Sequence, residues 1–184
     1  MITSPVESFN SNNISGLYSV TTHGYKEDPI LSQGIEILYT FMSLLSDLAN
    51  TKYLEMRKRA DFSRDSQEMA NRVDEIIAKV AKEGDKGEDY LPDDIRKFMK
   101  ENNITVDGKS IDNSAPEGKK LNQGKLQAVK AAIKTVSDRA SDFVSQSQLQ
   151  IQKIMQTYNV TVSLLNSMQT MLGEMNKSIA QNIR

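Results

Sequence analysis

Residues 122–183 read NQGKLQAVKAAIKTVSDRASDFVSQSQLQIQKIMQTYNVTVSLLNSMQTMLGEMNKSIAQNI, and no proline interrupts them. Apolar side chains recur in this stretch at three- and four-residue spacing, which is typical of a long amphipathic helix with a coiled-coil seam. Such a helix would be about 90 Å long, whereas a compact domain of this chain length is about 30–35 Å across. The helix therefore needs a partner of its own length.

The seam of this helix divides into two blocks. One heptad position is occupied by Leu126, Ile133 and Ala140, and then, after an eleven-residue step, by Ile151 and Tyr158. That step is a four-residue stutter, which locally unwinds a left-handed supercoil. The segment 143–173 then carries one charged residue, Lys153, and many amides on its polar face. Neutral amides pack against protein at little desolvation cost when hydrogen-bonded, so this face is predicted to contact other protein or to line a neutral channel.

A second long helix is predicted before it in the chain. Asp28 and Pro29 fit the N-cap and first helical position, and Gly84 fits the end. A heptad connects these ends, but its middle, residues 52–66, is polar and is interpreted as lying beyond the partner's contact. Two helices of nearly matched length in one chain predict an antiparallel hairpin.

The residues between the two helices break the periodicity. Pro92 begins a short helix, and Asp107-Gly108 between 104–106 and 109–111 is a two-residue hairpin signal. Residues 113–124 are predicted to form a mobile loop, because their first part, 113–120, lacks apolar anchors. The predicted fold is mainly α: two long helices forming an antiparallel coiled-coil hairpin, with a small α/β insert between them. The predicted divisions are an arm at 1–28, helices at 29–83 and 125–184, and the insert at 84–124.

Composition excludes several classes of function. The chain has 184 residues, a net charge of −1, no cysteine and one histidine, His23. A nearly neutral chain is not an electrostatic nucleic-acid binder, and cysteine-based metal and redox sites are excluded. The acidic runs at 85–89 and 93–94 lack EF-hand spacing. No catalytic constellation, metal site or cofactor site is predicted, so the chain is not expected to be an enzyme.

The N-terminal residues 1–28 are rich in Ser, Asn and Thr. This composition predicts either a disordered tail, or an export signal or arm that becomes ordered on a neighbouring subunit. Residues 1–25 contain no Lys or Arg and no apolar run of 7–15 residues, so no Sec signal peptide is expected there. The most apolar stretch, residues 37–45, is far shorter than the ~20 residues needed to cross a bilayer. No membrane span is therefore expected.

Several strings of the sequence occur together in one known family. They are LPDDIRKFM at 91–99, ITVDG at 104–108, GKLQAVKAAI at 124–133 and SQSQLQIQK at 145–153, and residues 69–80 fit the family's first helix. In these strings the chain resembles the EspA/SseB family of filament-forming type III secretion translocators, and its SseB branch most closely. The strings lie between residues 69 and 153, and the resemblance is taken to extend over most of residues 30–180.

The resemblance implies a secreted subunit that polymerises into a hollow filament extending the secretion needle at the bacterial surface. The implied partners are further copies of the chain, a cytosolic secretion chaperone, the needle subunit and membrane-pore translocators. Two alternatives remain open at this point. One is a needle-tip protein that forms a small ring, and the other is a coiled-coil chaperone or adaptor that is never exported.

Candidate assembly residues follow from the apolar seams and the polar face. The predicted oligomerisation interface consists of Ile35, Leu38, Met42, Leu45, Ile151, Ile154, Tyr158, Val162, Leu165, Met168, Leu172, Met175 and Ile179. The candidate lumen-facing residues are Gln146, Gln150, Gln156, Asn166 and Gln169.

Overall fold

A computed structural model of the chain describes residues 29–84 and 87–182. The predicted N-terminal arm, its export signal and His23 lie outside the described residues. The elements are α1 (Pro29–Lys82), β1 (Glu88–Tyr90), α2 (Asp93–Glu101), α3 (Ile111–Ser114), β2 (Lys120–Asn122) and α4 (Gln123–Asn182). Two long helices with a small insert between them are therefore confirmed.

The chain divides into two compact units, each containing a part of both long helices. Within the described residues, the terminal unit comprises 29–43 and 159–182, and the central unit comprises 44–84 and 87–158. This division cuts across α1 and α4 rather than following the ends of the helices.

The central unit holds the main hydrophobic core. Seven of its fully buried large side chains come from α1, α4 and the insert: Val73, Val80, Ile95, Met99, Ile111, Leu126 and Ile133. The two long helices run antiparallel here, because Ser63 contacts Ser137 whereas Asp74, further along α1, pairs with Lys130. Burying one such aliphatic side chain stabilises the fold by about 1.5–3 kcal/mol, so this unit anchors the hairpin.

Serines hydrogen-bond the two long helices to each other in the central unit. The Ser63 hydroxyl donates to the Ser137 carbonyl oxygen at 3.0 Å, and the Ser137 hydroxyl donates to the Ser63 carbonyl oxygen at 2.9 Å. Ser66 is fully buried nearby in the sequence. The polar middle of α1 was interpreted as lying beyond its partner's contact, and for these serines that interpretation is wrong. Small hydroxyl side chains let the helices approach closely and satisfy each other's backbone.

The insert forms its sheet from residues that the sequence analysis did not pair. β1 and β2 are antiparallel, with Glu88 opposite Asn122 and Tyr90 opposite Lys120. The predicted turn is present, since Asp107 and Gly108 both have positive φ, 50° and 75°. Its arms form only one bridge, Val106 to Lys109, because Ile111 begins α3 and is buried in the core.

The loop after α3 is held in place, contrary to the prediction of a mobile segment. Ala115 is fully buried, and the guanidinium of the buried Arg96 donates to the carbonyl oxygens of Ala115 and Pro116. A guanidinium presents its donors in a rigid fork and can hold two carbonyls at once. The anchor is therefore a polar one, which a search for apolar residues could not find.

The terminal unit has a much thinner interior. Leu165 and Thr161 are its buried residues among those described, at 5% exposure each. The two helices contact each other where the Gln169 amide donates to the Tyr39 hydroxyl at 2.9 Å. Gly34 also faces the end of Met168, because a Cβ built on Gly34 would lie 2.6 Å from the methionine methyl carbon. This unit is thus a two-helix contact with little core of its own.

Candidate assembly surface

Large apolar side chains are exposed on both helices of the terminal unit. Ile37 is 66% exposed and Val160 is 68% exposed. The full set is Ile30, Ile37, Phe41, Val160, Leu164 and Met171, and each is at least 42% exposed. Contiguous exposed apolar surface on a monomer marks an interaction site.

These exposed residues follow the helix repeat. At about 100° per residue, Ile30, Ile37 and Phe41 lie within about 40° of one another around α1. The same angle per residue places Val160, Leu164 and Met171 within about 40° of one another around α4. Each set lies roughly 100° around its helix from the seam that faces the other helix. The outer stripe, as we call these six residues, is therefore a second apolar stripe. The same spacing continues along α1 into the central unit as exposed Leu44 and Leu48.

Almost no charge accompanies the outer stripe. The described part of the terminal unit contains three charged residues, Glu36, Glu174 and Lys177, whereas 26% of the whole chain is charged. A solvated helix face is ordinarily rich in Glu and Lys. The described part of the terminal unit thus presents exposed apolar side chains with little charge around them.

The predicted interface residues occupy the seam of the hairpin. Leu45 and Leu165 are buried by the chain itself, at 8% and 5% exposure, so they present almost no surface to another copy. The remainder of the set is half-buried: Ile35, Leu38, Met42, Ile151, Ile154, Tyr158, Val162, Met168, Leu172, Met175 and Ile179. For Leu45 and Leu165 the prediction of an interface with another copy is corrected, because a seam that packs against its own hairpin partner is no longer free.

The candidate lumen residues are all exposed and are divided between the two units. Gln146, Gln150 and Gln156 belong to the central unit and lie within about 120° of one another around α4. Asn166 and Gln169 belong to the terminal unit, where Gln169 donates to Tyr39. A lumen-facing role for these five amides stays a prediction.

The sequence did not lead us to predict the outer stripe, because the seam residues had already explained one apolar heptad on each long helix. Ile30, Ile37 and Leu44 on α1 step by seven residues, as do Phe41 and Leu48, and on α4 Leu164 and Met171 do so as well. A search for a second heptad on each helix, offset from the first, would have found these positions. Two apolar heptads on one helix predict two packing partners.

Among the described residues, one ion pair in the central unit connects the insert to α1. The Arg72 guanidinium donates to the Asp94 carboxylate, and this hydrogen bond holds the pKa of Asp94 below its usual range. Asp94 also accepts a hydrogen bond from the backbone N–H of Ile95 at 2.9 Å. Among the described residues no group of acidic or histidine side chains could hold a metal ion. These charges thus position the insert.

No helix in the described ranges is both long and apolar enough to span a bilayer.

A mainly helical hairpin with a covered seam and a second, uncharged apolar stripe defines a protein that assembles with others. A family model described as EspA-like secreted protein matches residues 3–178. The chain therefore belongs to the family of EspA-like secreted proteins.

Two relatives give this assignment more detail. The chain is 34% identical over 180 residues to the secreted effector protein SseB of Salmonella typhimurium. The aligned region covers 96% of this chain and 92% of SseB. Its fold is similar to that of the EspA filament of the enteropathogenic Escherichia coli type III secretion system, determined by cryo-electron microscopy. That match has a TM-score of 0.58 and 27% identity, and it covers 96% of this chain and 97% of the EspA chain.

Proposed function

We propose that this chain is a secreted structural subunit that polymerises into a hollow helical filament. The filament extends a type III secretion needle at the bacterial surface and conducts translocators and effectors towards a host cell. The observation that carries the proposal is the outer stripe on a terminal unit almost free of charge. Similarity to SseB and to the EspA filament supports both secretion and polymerisation.

The polymer contact is proposed to centre on the outer stripe. Each copy presents apolar side chains from two helices, so copies that pack side by side around an axis bury both stripes. Contacts between different patches of identical subunits generate open helical polymers when the rotation does not close. The half-buried seam residues would contribute their remaining exposed edges. Gln146, Gln150, Gln156, Asn166 and Gln169 remain candidates for the lumen as separate polar positions.

Further partners follow from the same surface. A single copy exposes apolar area that would aggregate in the cytosol, so a dedicated chaperone is proposed to cover it before export. The needle subunit is proposed to meet one end of the polymer and the pore-forming translocators the other. Residues 1–28 are proposed to carry the export signal.

Two neighbouring leucines test the proposal. Leu164 is 49% exposed on the outer stripe, whereas Leu165 is 5% exposed in the seam. Leu164→Asp should leave the thermal unfolding of the free subunit nearly unchanged and abolish filaments, because assembly would bury an unpaired charge. Leu165→Asp should instead lower the melting temperature of the subunit by several degrees, on the order of 2 kcal/mol or more.

The measurements are sedimentation of polymer, negative-stain electron microscopy and thermal unfolding. Asn166→Asp is the matched control, since it adds the same charge two residues from Leu164 on a different face. Filaments of the Leu164→Asp variant at the wild-type critical concentration would refute the outer stripe as the contact. Wild-type protein that forms only small rings would favour a needle-tip role. Its absence from culture supernatants of cells with active secretion would favour a chaperone that is never exported.

A further inference from the structure

A cleft in the central unit combines positive charge with aromatic walls. Its volume is about 350 Å³, and Arg59, Phe62, Asn102, Arg139 and Phe143 are among the residues that line it. The Arg59 guanidinium carbon lies 5.7 Å from the centre of the Phe143 ring, and Phe62 stacks on Phe98 with ring centres 5.9 Å apart. The Phe62 and Phe143 rings that line the cleft are therefore each in contact with another side chain of the same copy.

The two arginines of this cleft have no acidic partner within the described part of the chain. Arg64, Arg72 and Lys130 each pair with a carboxylate, but neither Arg59 nor Arg139 has a carboxylate oxygen within 4.0 Å. Guanidinium groups on aromatic faces favour planar carboxylates, which they can bind through two parallel hydrogen bonds. A ligand that suits this cleft carries carboxylates next to an aromatic ring.

One segment of the chain has that chemistry at its surface. Residues 88–93 place Glu88, Tyr90 and Asp93 on the surface, and Tyr90 is 51% exposed, with Lys120 Nζ 5.5 Å from the centre of its ring. Neither Glu88 nor Asp93 has an ion-pair partner among the described residues. The segment therefore offers an aromatic ring with a carboxylate on either side of it.

We propose that the 88–93 segment of one copy docks into the Arg59/Arg139 cleft of a second copy. The Tyr90 ring would enter between Phe62 and Phe143, with the flanking carboxylates on the two arginines. A helical polymer needs two different complementary patches on the same chain, and these two patches meet that requirement. The inference rests on the proposed polymer and adds a polar, salt-sensitive contact to the apolar one.

The first test uses charge reversal in the polymer. Arg59→Glu combined with Arg139→Glu should raise the critical concentration for filament formation by about tenfold or more, because two charge-assisted contacts become repulsive. Adding Glu88→Lys and Asp93→Lys to the same chain should restore assembly. The matched control is Arg57→Glu with Lys58→Glu, which reverses two neighbouring exposed charges outside the cleft. Unchanged melting temperatures of the free subunits confirm that each variant folds.

A second test does not depend on polymerisation. A synthetic peptide of residues 87–95, GEDYLPDDI, is titrated into the Leu164→Asp subunit and followed by fluorescence anisotropy. Saturable binding is expected, with a loss of at least about tenfold when Tyr90 is replaced by Ala in the peptide or when both arginines are reversed.

Different results would contradict the docking proposal and the filament proposal. No binding of the peptide, or wild-type assembly by the Arg59→Glu/Arg139→Glu variant, overturns the docking proposal while leaving the polymer intact. A wild-type chain that never polymerises but whose cleft still binds the peptide overturns the filament proposal and leaves the cleft as a site for this sequence.

Discussion

Arg96 shows how one buried polar residue can fix a loop. It is 6% exposed, it donates to the carbonyl oxygens of Ala115 and Pro116, and its Nε has no hydrogen-bond acceptor within the described residues. Burying a cation without a carboxylate costs free energy, and the two hydrogen bonds to carbonyl oxygens offset part of that cost. The loop and the guanidinium therefore stabilise each other.

Replacing Arg96 should accordingly weaken the insert. Arg96→Met keeps the aliphatic stem but removes the guanidinium donor from the carbonyl oxygen of the buried Ala115, which costs about 1–3 kcal/mol. The carbonyl oxygen of the exposed Pro116 keeps a donor in the backbone N–H of Lys119. Thermal or urea unfolding of the free subunit measures this loss. Lys97→Met is the matched control, because Lys97 is 75% exposed and makes only a long ion pair with Glu101. Equal stability of the two variants would show that the loop does not depend on the guanidinium.

Gly87 is required by a close approach of the backbone. A Cβ on Gly87 would overlap the carbonyl oxygen of Val80, which belongs to the last turn of α1. Gly87→Ala must shift either β1 or the end of the helix, and overpacking of this kind costs about 1–3 kcal/mol. Gly173→Ala, within α4 and with no atom within 4 Å of the built Cβ, should instead stabilise the helix by about 0.5–1 kcal/mol. Chemical denaturation of both variants checks the opposite signs.

At the scale of elements, the insert is attached to α1 by one ion pair with a pH signature. The Arg72 hydrogen bond lowers the pKa of Asp94 in the folded chain. A carboxyl group with a depressed folded pKa contributes stability above its unfolded pKa and loses that contribution as the pH falls through the folded value. The pair is exposed, so its contribution is small.

The Asp94→Asn variant should therefore differ from wild type in a pH-dependent way. Its melting temperature should be lower than wild type near pH 7, and the two should converge as the pH falls below about 4. Asp93→Asn serves as the control, since it removes a neighbouring charge that has no ion pair in the described chain. A difference that stays constant from pH 7 to pH 3 would contradict the assigned ion pair.

The two long helices contact each other differently in the central unit and in the terminal unit, and the difference affects the stability of each part. In the central unit, serines and aliphatic side chains close the contact within the chain. In the terminal unit, the contact within the chain is thin and the outer stripe remains uncovered. Helices in water owe most of their stability to packing of an apolar face rather than to intrinsic propensity. The terminal parts of α1 and α4 should thus depend on assembly for their stability.

Hydrogen exchange on the whole molecule tests this difference. In the free subunit, backbone amides of 29–43 and 159–182 should exchange faster than those of 66–80 and 126–140, because the former lack a buried core. Polymerisation should slow exchange in the terminal unit most. Mass spectrometry of monomer and filament gives both profiles, and the Leu164→Asp subunit supplies a monomer that cannot assemble. Equal protection of the two units in the free chain would contradict the proposed coupling of folding to assembly.

The amino-acid sequence by itself determined the two long helices, because periodic apolar residues, Pro29 and Gly84 act within one or a few turns. It also determined the tight turn at Asp107-Gly108, whose positive φ values suit these residues, and the charge-poor segment after Phe143. Only the tertiary structure decided what those patterns contact. It paired β1 with β2 across the twenty-nine residues 91–119, in place of the segments on either side of the Asp107-Gly108 turn. It also anchored the loop at Ala115 through Arg96. It also decided which apolar residues form the covered seam and which form the outer stripe. The two sets have the same periodicity in the sequence, and only the packing of the helices buries one of them within the chain.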